Sequence, residues 1–97
     1  MHTKTSIEHG IPVVFVEGRL GHDAAAELER TLESSSNGVS NLVVDLSGVD
    51  YLSGAALRVF KSISDRRSEN GGGLRLRAPS EAARFAPELS GLLELIE

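Results

Sequence analysis

The run Leu42-Val43-Val44-Asp45-Leu46 most constrains what this chain can fold into. It is short, rich in β-branched residues and shows no alternation of apolar and polar positions. A strand exposed to water on one face alternates, so a run without alternation suggests a central strand covered on both faces. Cover of that kind comes from neighbouring helices, packed mainly on one face or on both, and both flanking segments have helical spacing. Before the run, from Asp23, residues Ala24, Leu28 and Leu32 recur every four positions with Glu27, Glu29, Arg30 and Glu33 between them. That pattern predicts an amphipathic helix of about three turns with acids near its start. After the run, Ala56, Val59, Phe60 and Ile63 form the apolar stripe of a second helix, from about Gly54 to Arg67.

The remaining elements follow the same logic. Ile11-Pro12-Val13-Val14-Phe15-Val16-Glu17 reads as a strand apolar on both faces, and His9-Gly10 turns it back on residues 3–8 as a hairpin. Pro12 suits a strand end or an edge. Gly18-Arg19-Leu20-Gly21 breaks the strand period, and the polar stretch from Ser34 to Gly38 is an ordinary helix-to-strand loop. Glu69 to Gly73 stops the second helix, and Arg66-Arg67 is its cationic end. Leu74-Arg75-Leu76-Arg77 alternates as a strand with Leu74 and Leu76 inward. A third helix is predicted from Glu81 to about Leu89, opened by Pro79-Ser80 and closed by Ser90-Gly91. Leu92 to Glu97 fits either a last helical turn or a short strand. The order β-β-α-β-α-β-α-(β) contains no repeat and no internal boundary, so residues 1–97 are expected to form one α/β domain.

Size and charge exclude several classes of function. A chain of 10.3 kDa exposes about 15,000 Å² unfolded and about 5,400 Å² folded, enough burial for one core but not for two. The 97 residues contain no cysteine, which removes disulfides, thiolate metal sites and thiol nucleophiles together. Ten Lys and Arg against 14 Asp and Glu leave a net charge of −4. A nucleic-acid binder would instead carry a basic stripe. No apolar run approaches the length of a bilayer span, and Met1 to Thr5 leads into a polar segment with no signal-peptide stretch. No membrane insertion and a cytoplasmic location are therefore expected.

Chemistry-bearing residues are sparse. His2, His9 and His22 fall in a terminus, a turn and a loop with no partner at metal-ligand spacing, and they read as solvated surface groups. Gly71-Gly72-Gly73 follows a helix and precedes a strand, the reverse of a phosphate-binding loop. Asp45 ends a buried strand, where α/β folds place functional acids. A phosphate-receiving domain would also need an acidic pair after the first strand and a late lysine, and neither is present. Asp45 is expected instead to accept hydrogen bonds from backbone N–H groups of the following loop, and Asp50 to be a turn residue. Without a nucleophile–base pair, metal constellation or cofactor loop, the chain is expected to be no enzyme and to use no cofactor.

The stretch from Leu42 to Phe60 carries the functional signal. The strand, a tight turn at Ser47-Gly48, the pair Tyr51-Leu52 and then small residues at a helix start leave that helix N-terminus uncovered. Its orphan N–H groups and positive dipole end are receptive to phosphate or carboxylate. Ser53 is placed to be the N-cap, bonding the N–H of Ala55 or Ala56.

Read together, these motifs resemble the STAS domain family, shared by bacterial anti-sigma-factor antagonists and the cytoplasmic tails of sulfate transporters. Val14 to Leu20, with its Gly-Arg-Leu ending, is similar to the family's second strand. Asp45-Leu46-Ser47-Gly48-Val49 is similar to its central strand and turn, and Gly71 to Leu76 to a later turn and strand. The resemblance covers nearly the whole chain. It implies a mostly parallel sheet of four or five strands with an N-terminal β-hairpin and helices packed against it. It also implies a mechanism. In the antagonists, a Ser or Thr at the start of the second helix is phosphorylated by a serine kinase of the histidine-kinase-like ATPase type that is also the anti-sigma factor. The unmodified antagonist sequesters that kinase and frees the sigma factor, and a PP2C-type phosphatase resets the switch. Phosphate adds nearly two negative charges where the partner docks.

The chain departs from the family at this point. Where the usual signature is Asp-Ser-Ser-Gly, aligned through Tyr51-Leu52 and Leu57, it has Ser53-Gly54-Ala55-Ala56. Ala55 occupies the usual phosphoacceptor position and has no hydroxyl. Three explanations stand: the protein binds its partner without a phosphorylation switch, it uses Ser53 instead, or positions 53–56 carry substitutions. The expected docking surface comprises Ser53, Gly54, Ala55, Ala56 and Arg58. The resemblance thus points to regulation of transcription or signalling through an anti-sigma factor. The alternative is a non-enzymatic STAS subunit of a signalling scaffold or of a membrane transport complex.

Overall fold

The computed structural model describes residues 1–35 and 40–78. The expected third helix at 81–89, the closing segment 92–97 and most of the 34–38 loop lie outside the described residues. Strand β1 (His2–Glu8) and strand β2 (Ile11–Leu20) form the expected antiparallel hairpin. The linking residues His9 and Gly10 both have left-handed backbone, with φ of 53° and 79°. This is the two-residue turn whose twist matches that of the strands it joins. Pro12 pairs with Ile7, one step beyond the hydrogen-bonded closing pair Glu8 and Ile11. Its missing N–H therefore points away from β1, and pairing on the other side of β2 begins only at Val13.

Helix α1 (Ala25–Ser35) is entered through a 3₁₀ turn over His22–Ala24 and buries Leu28 and Leu32. Strand β3 (Asn41–Leu52) lies parallel to β2, helix α2 (Gly54–Glu69) follows it, and strand β4 (Gly73–Arg77) returns parallel to β3. The sheet order is β1-β2-β3-β4, so the described part is a mostly parallel four-stranded sheet. Both helices pack on the sheet face that carries Val14, Val16, Leu42, Val44, Leu46, Leu74 and Leu76. There Leu28, Leu32, Phe60 and Ile63 close a single core.

Three expectations about loops and turns are corrected. Gly18 does not end β2, which continues to Leu20 with Gly18 at a φ of 96°. Ser47-Gly48 is not a turn, and Asp50 is not a turn residue; both lie inside β3. From Val13 to Leu20 β2 advances seven residues, while β3 advances nine, from Val43 to Leu52. The two extra residues enter as irregularities opposite Phe15–Glu17 and Gly18–Arg19. A bulge absorbs an extra residue without ending the strand, which is why polar, glycine-bearing sequence imitates a turn at this point.

The end of α2 follows a definite capping pattern. Gly71 takes a φ of 79°, Gly72 N–H donates to the Arg67 carbonyl at 2.8 Å, and Gly71 N–H donates to the Ser68 carbonyl at 3.2 Å. This is a Schellman cap, with glycine in the left-handed position it favours. Gly72 has a different constraint: a Cβ there would lie 1.9 Å from the Ser40 carbonyl oxygen.

Candidate functional site

The site is built where β3 passes into α2. Ser53 has extended backbone and caps the helix, its Oγ accepting from the N–H of Ala56 at 3.2 Å. Its own N–H donates to the Leu20 carbonyl at 2.9 Å, and its carbonyl accepts from Leu57 N–H at 3.1 Å. The start of α2 is thereby pinned to the end of β2. Ser53 is 8% exposed, so its hydroxyl is both engaged as an acceptor and nearly buried.

The other expected docking residues separate into two groups. Gly54 and Ala55 are half-buried and Arg58 is exposed. Ala56 is 0% exposed and belongs to the core, so it offers no surface to a partner. The reason is helical spacing: Ala56 lies on the same stripe as Phe60 and Ile63, three or four residues apart. The first turn of α2 contains no acidic residue, so nothing on the helix itself offsets its positive dipole end. Among the described residues, the N–H groups of Gly54 and Ala55 have no hydrogen-bond partner.

Beside this helix start the strands end in a pair that the sequence reading did not single out. Arg19 and Tyr51 are register partners across β2 and β3, and the guanidinium lies 4.2 Å from the centre of the Tyr51 ring. Tyr51 is 43% exposed, one of two large hydrophobic residues described as exposed. A cation held on an exposed ring presents flat, amphipathic surface of the kind enriched at protein interfaces. Only the parallel register, with its two extra residues in β3, brings positions 19 and 51 together, so linear spacing gave no sign of it.

Asp45 has the structural role expected of it, and a further one. Its Oδ1 accepts from the Ser47 N–H at 2.9 Å and from the Ser47 hydroxyl at 2.6 Å, which satisfies the backbone at the first bulge. Its Oδ2 accepts from Arg77 Nε at 3.0 Å, and the same guanidinium reaches Glu8 at 2.9 Å and 3.3 Å. Burial raises the Asp45 carboxyl pKa, but the Ser47 bonds and Arg77 outweigh burial and hold it below its ordinary value. The Arg77 hydrogen bond likewise lowers Glu8. Arg77 is raised, first by its bond to Glu8 and then by Asp45. These groups form a structural clamp on the face opposite the helices, and all the members of it are consumed by one another. Among the described residues no group of His, Asp and Glu could hold a metal ion.

The STAS domain profile matches residues 2–97, so the chain belongs to the STAS domain family. No curated protein matches it. Several solved structures share its fold. The anti-sigma factor antagonist SpoIIAA in its unphosphorylated form is 16% identical, with a TM-score of 0.78 over 99% of this chain and 86% of that one. A putative anti-sigma factor antagonist from Thermotoga maritima is 18% identical, with a TM-score of 0.84 over 98% of this chain and 83% of that one. An anti-sigma factor antagonist from Mycobacterium paratuberculosis is 25% identical, with a TM-score of 0.79 over 98% of this chain and 81% of that one.

Proposed function

We propose that this protein is an anti-sigma-factor antagonist, a non-enzymatic module that acts in the cytoplasm by binding an anti-sigma factor of the serine-kinase type. The surface it offers is Gly54, Ala55 and Arg58 at the start of α2, flanked by Arg19 and Tyr51. Small residues let the partner backbone approach closely, and the half-buried Ala55 stands where the family carries its phosphoacceptor. The observation that carries this reading is the acid-free start of α2, with half-buried alanine at that position.

The same observation favours constitutive binding. A kinase needs an accessible hydroxyl, and the Ser53 hydroxyl is an N-cap inside the fold. A PP2C-type phosphatase would then find nothing to remove at this site. The test is a binding titration of the purified chain against anti-sigma kinases encoded in the same genome, with intact mass read after ATP is added. Binding at micromolar affinity or tighter with no mass gain is expected. Ala55→Ser should gain one phosphate and lose affinity, and Ala55→Glu should weaken binding at least about tenfold through charge and desolvation. Phosphorylation of the unaltered chain that disappears in Ser53→Ala would overturn constitutive binding. Failure of every kinase to bind would overturn the antagonist reading itself.

A further inference from the structure

Among the described residues, strand β1 is the outermost strand of the sheet and pairs only with β2. Six of its seven residues are exposed. The hairpin fixes which backbone groups point outward. In a two-residue hairpin the closing pair, Glu8 and Ile11, is hydrogen-bonded, and bonded and non-bonded pairs alternate from there. Glu8, Ser6, Lys4 and His2 therefore bond to β2. Thr3, Thr5 and Ile7 direct their N–H and C=O groups away from the sheet. This edge contains no proline and no bulge, the usual devices that keep edges from pairing. Ile7 beside it is 72% exposed.

We propose that β1 is a homodimerisation edge, pairing antiparallel with β1 of a second copy about a two-fold axis through Thr5. The occupant is argued from self-complementarity. Outward residues must meet outward residues, and only the register centred on Thr5 uses all three. It sets Thr5 against Thr5 and Thr3 against Ile7, so that each exposed Ile7 is covered by a threonine methyl group. On the opposite face it sets His2 against Glu8, whose carboxylate also holds Arg77, and Lys4 against Ser6. No like charges meet directly. Lys4 is the single residue that guards the edge, and in this register it faces a hydroxyl. The product is one continuous sheet through both protomers, leaving both α2 starts away from the contact strand. An interface of one strand pair is small, so association is expected to be weak, with a dissociation constant on the order of 100 µM.

The absence of cysteine makes a clean test. Thr5→Cys places two thiols across the axis, where bonded antiparallel pairs sit about 5.5 Å apart between Cα atoms, within disulfide range. Ser6→Cys places them on a diagonal about 7–8 Å apart, beyond it. Mild oxidation at 200 µM or so, roughly twice the expected dissociation constant, should cross-link Thr5→Cys at least about tenfold faster than Ser6→Cys. Sedimentation of the unaltered chain should show concentration-dependent dimer. Thr5→Pro removes only an outward N–H and should abolish the dimer with the monomer's circular dichroism unchanged. If that variant fails to fold, Thr5→Lys sets like charges against each other at the exposed axis and should have the same effect. A monomer at all concentrations with no Thr5→Cys cross-link, or faster cross-linking of Ser6→Cys, would overturn the proposal.

Discussion

At the scale of single residues, the consequential side chains are those that satisfy backbone where the chain departs from regular geometry. Asp45 is 6% exposed and is the acceptor for a bulge N–H, a hydroxyl and a guanidinium. Its replacement by alanine leaves all three short of a partner, and a loss of about 2–3 kcal/mol is expected in urea unfolding. Asp45→Asn keeps an acceptor for Ser47 but removes the charge facing Arg77, so its loss should be smaller. Gly72 and Gly71 separate two roles of glycine. Gly71→Ala forces a side chain into left-handed backbone and should cost about 1 kcal/mol. Gly72→Ala meets the Ser40 carbonyl and should cost about 3 kcal/mol, because the obstacle is backbone and cannot swing aside. Thermal or urea melts of the two variants distinguish these costs. Asp45 was legible in the sequence as a loop acceptor. Its bond to Arg77, 32 positions away, was not, since nothing local specifies which strand lies alongside.

At the scale of elements, packing outweighs surface charge. Arg66 of α2 reaches Glu33 and Glu29 of α1, but these groups are 41–50% exposed. Exposed pairs gain little against solvent screening. Arg66→Ala should therefore cost under about 1 kcal/mol, less still in high salt. Leu32→Ala removes a fully buried side chain between α1 and the sheet, and about 3 kcal/mol is expected. Helices α1 and α2 and the hairpin were legible because their periodicity and turn chemistry are local. The length of β3 was not, because bulges replace the alternation that marks a strand with the Ser, Gly and Asp that mark a turn. Ala56 was legible as part of the apolar stripe but was also assigned to the docking surface for its small size. Its phase on the helix places it in the core beside Phe60.

At the scale of the whole molecule, the clamp from Glu8 through Arg77 to Asp45 ties the first strand to the third and fourth. Both carboxyls have pKa values lowered by folding. In the pH interval between their folded and unfolded values the unfolded chain binds more protons than the folded one. Stability therefore rises with pH through that interval, and is lost as the pH falls through the ordinary carboxylate range, about 4, and below. Urea midpoints between pH 3 and pH 7 should show this slope, and Asp45→Asn should flatten it. No helix among the described residues is long and apolar enough to cross a membrane. Gly54, Ala55 and Arg58, the proposed docking residues, stand on a helix whose start is anchored through Ser53 to Leu20. Arg58→Glu should weaken partner binding at least about tenfold while leaving the melting temperature within about 2 °C, since an exposed helical side chain changes stability little.

The two surplus residues of β3 act as a counting device. They convert a mismatch in length between neighbouring strands into the meeting of Arg19 with Tyr51 and of Leu20 with Ser53. How the start of α2 meets the end of β2 is thus set by where β3 takes up its two surplus residues between Asp45 and Leu52. Removing Ser47 alone would alter no residue of the proposed docking surface. Ser47 belongs to the first bulge, so its loss would close that bulge and leave Gly48 against Glu17 and Leu52 against Leu20. The bulges are therefore where a change of length in this interval is absorbed without moving the start of α2.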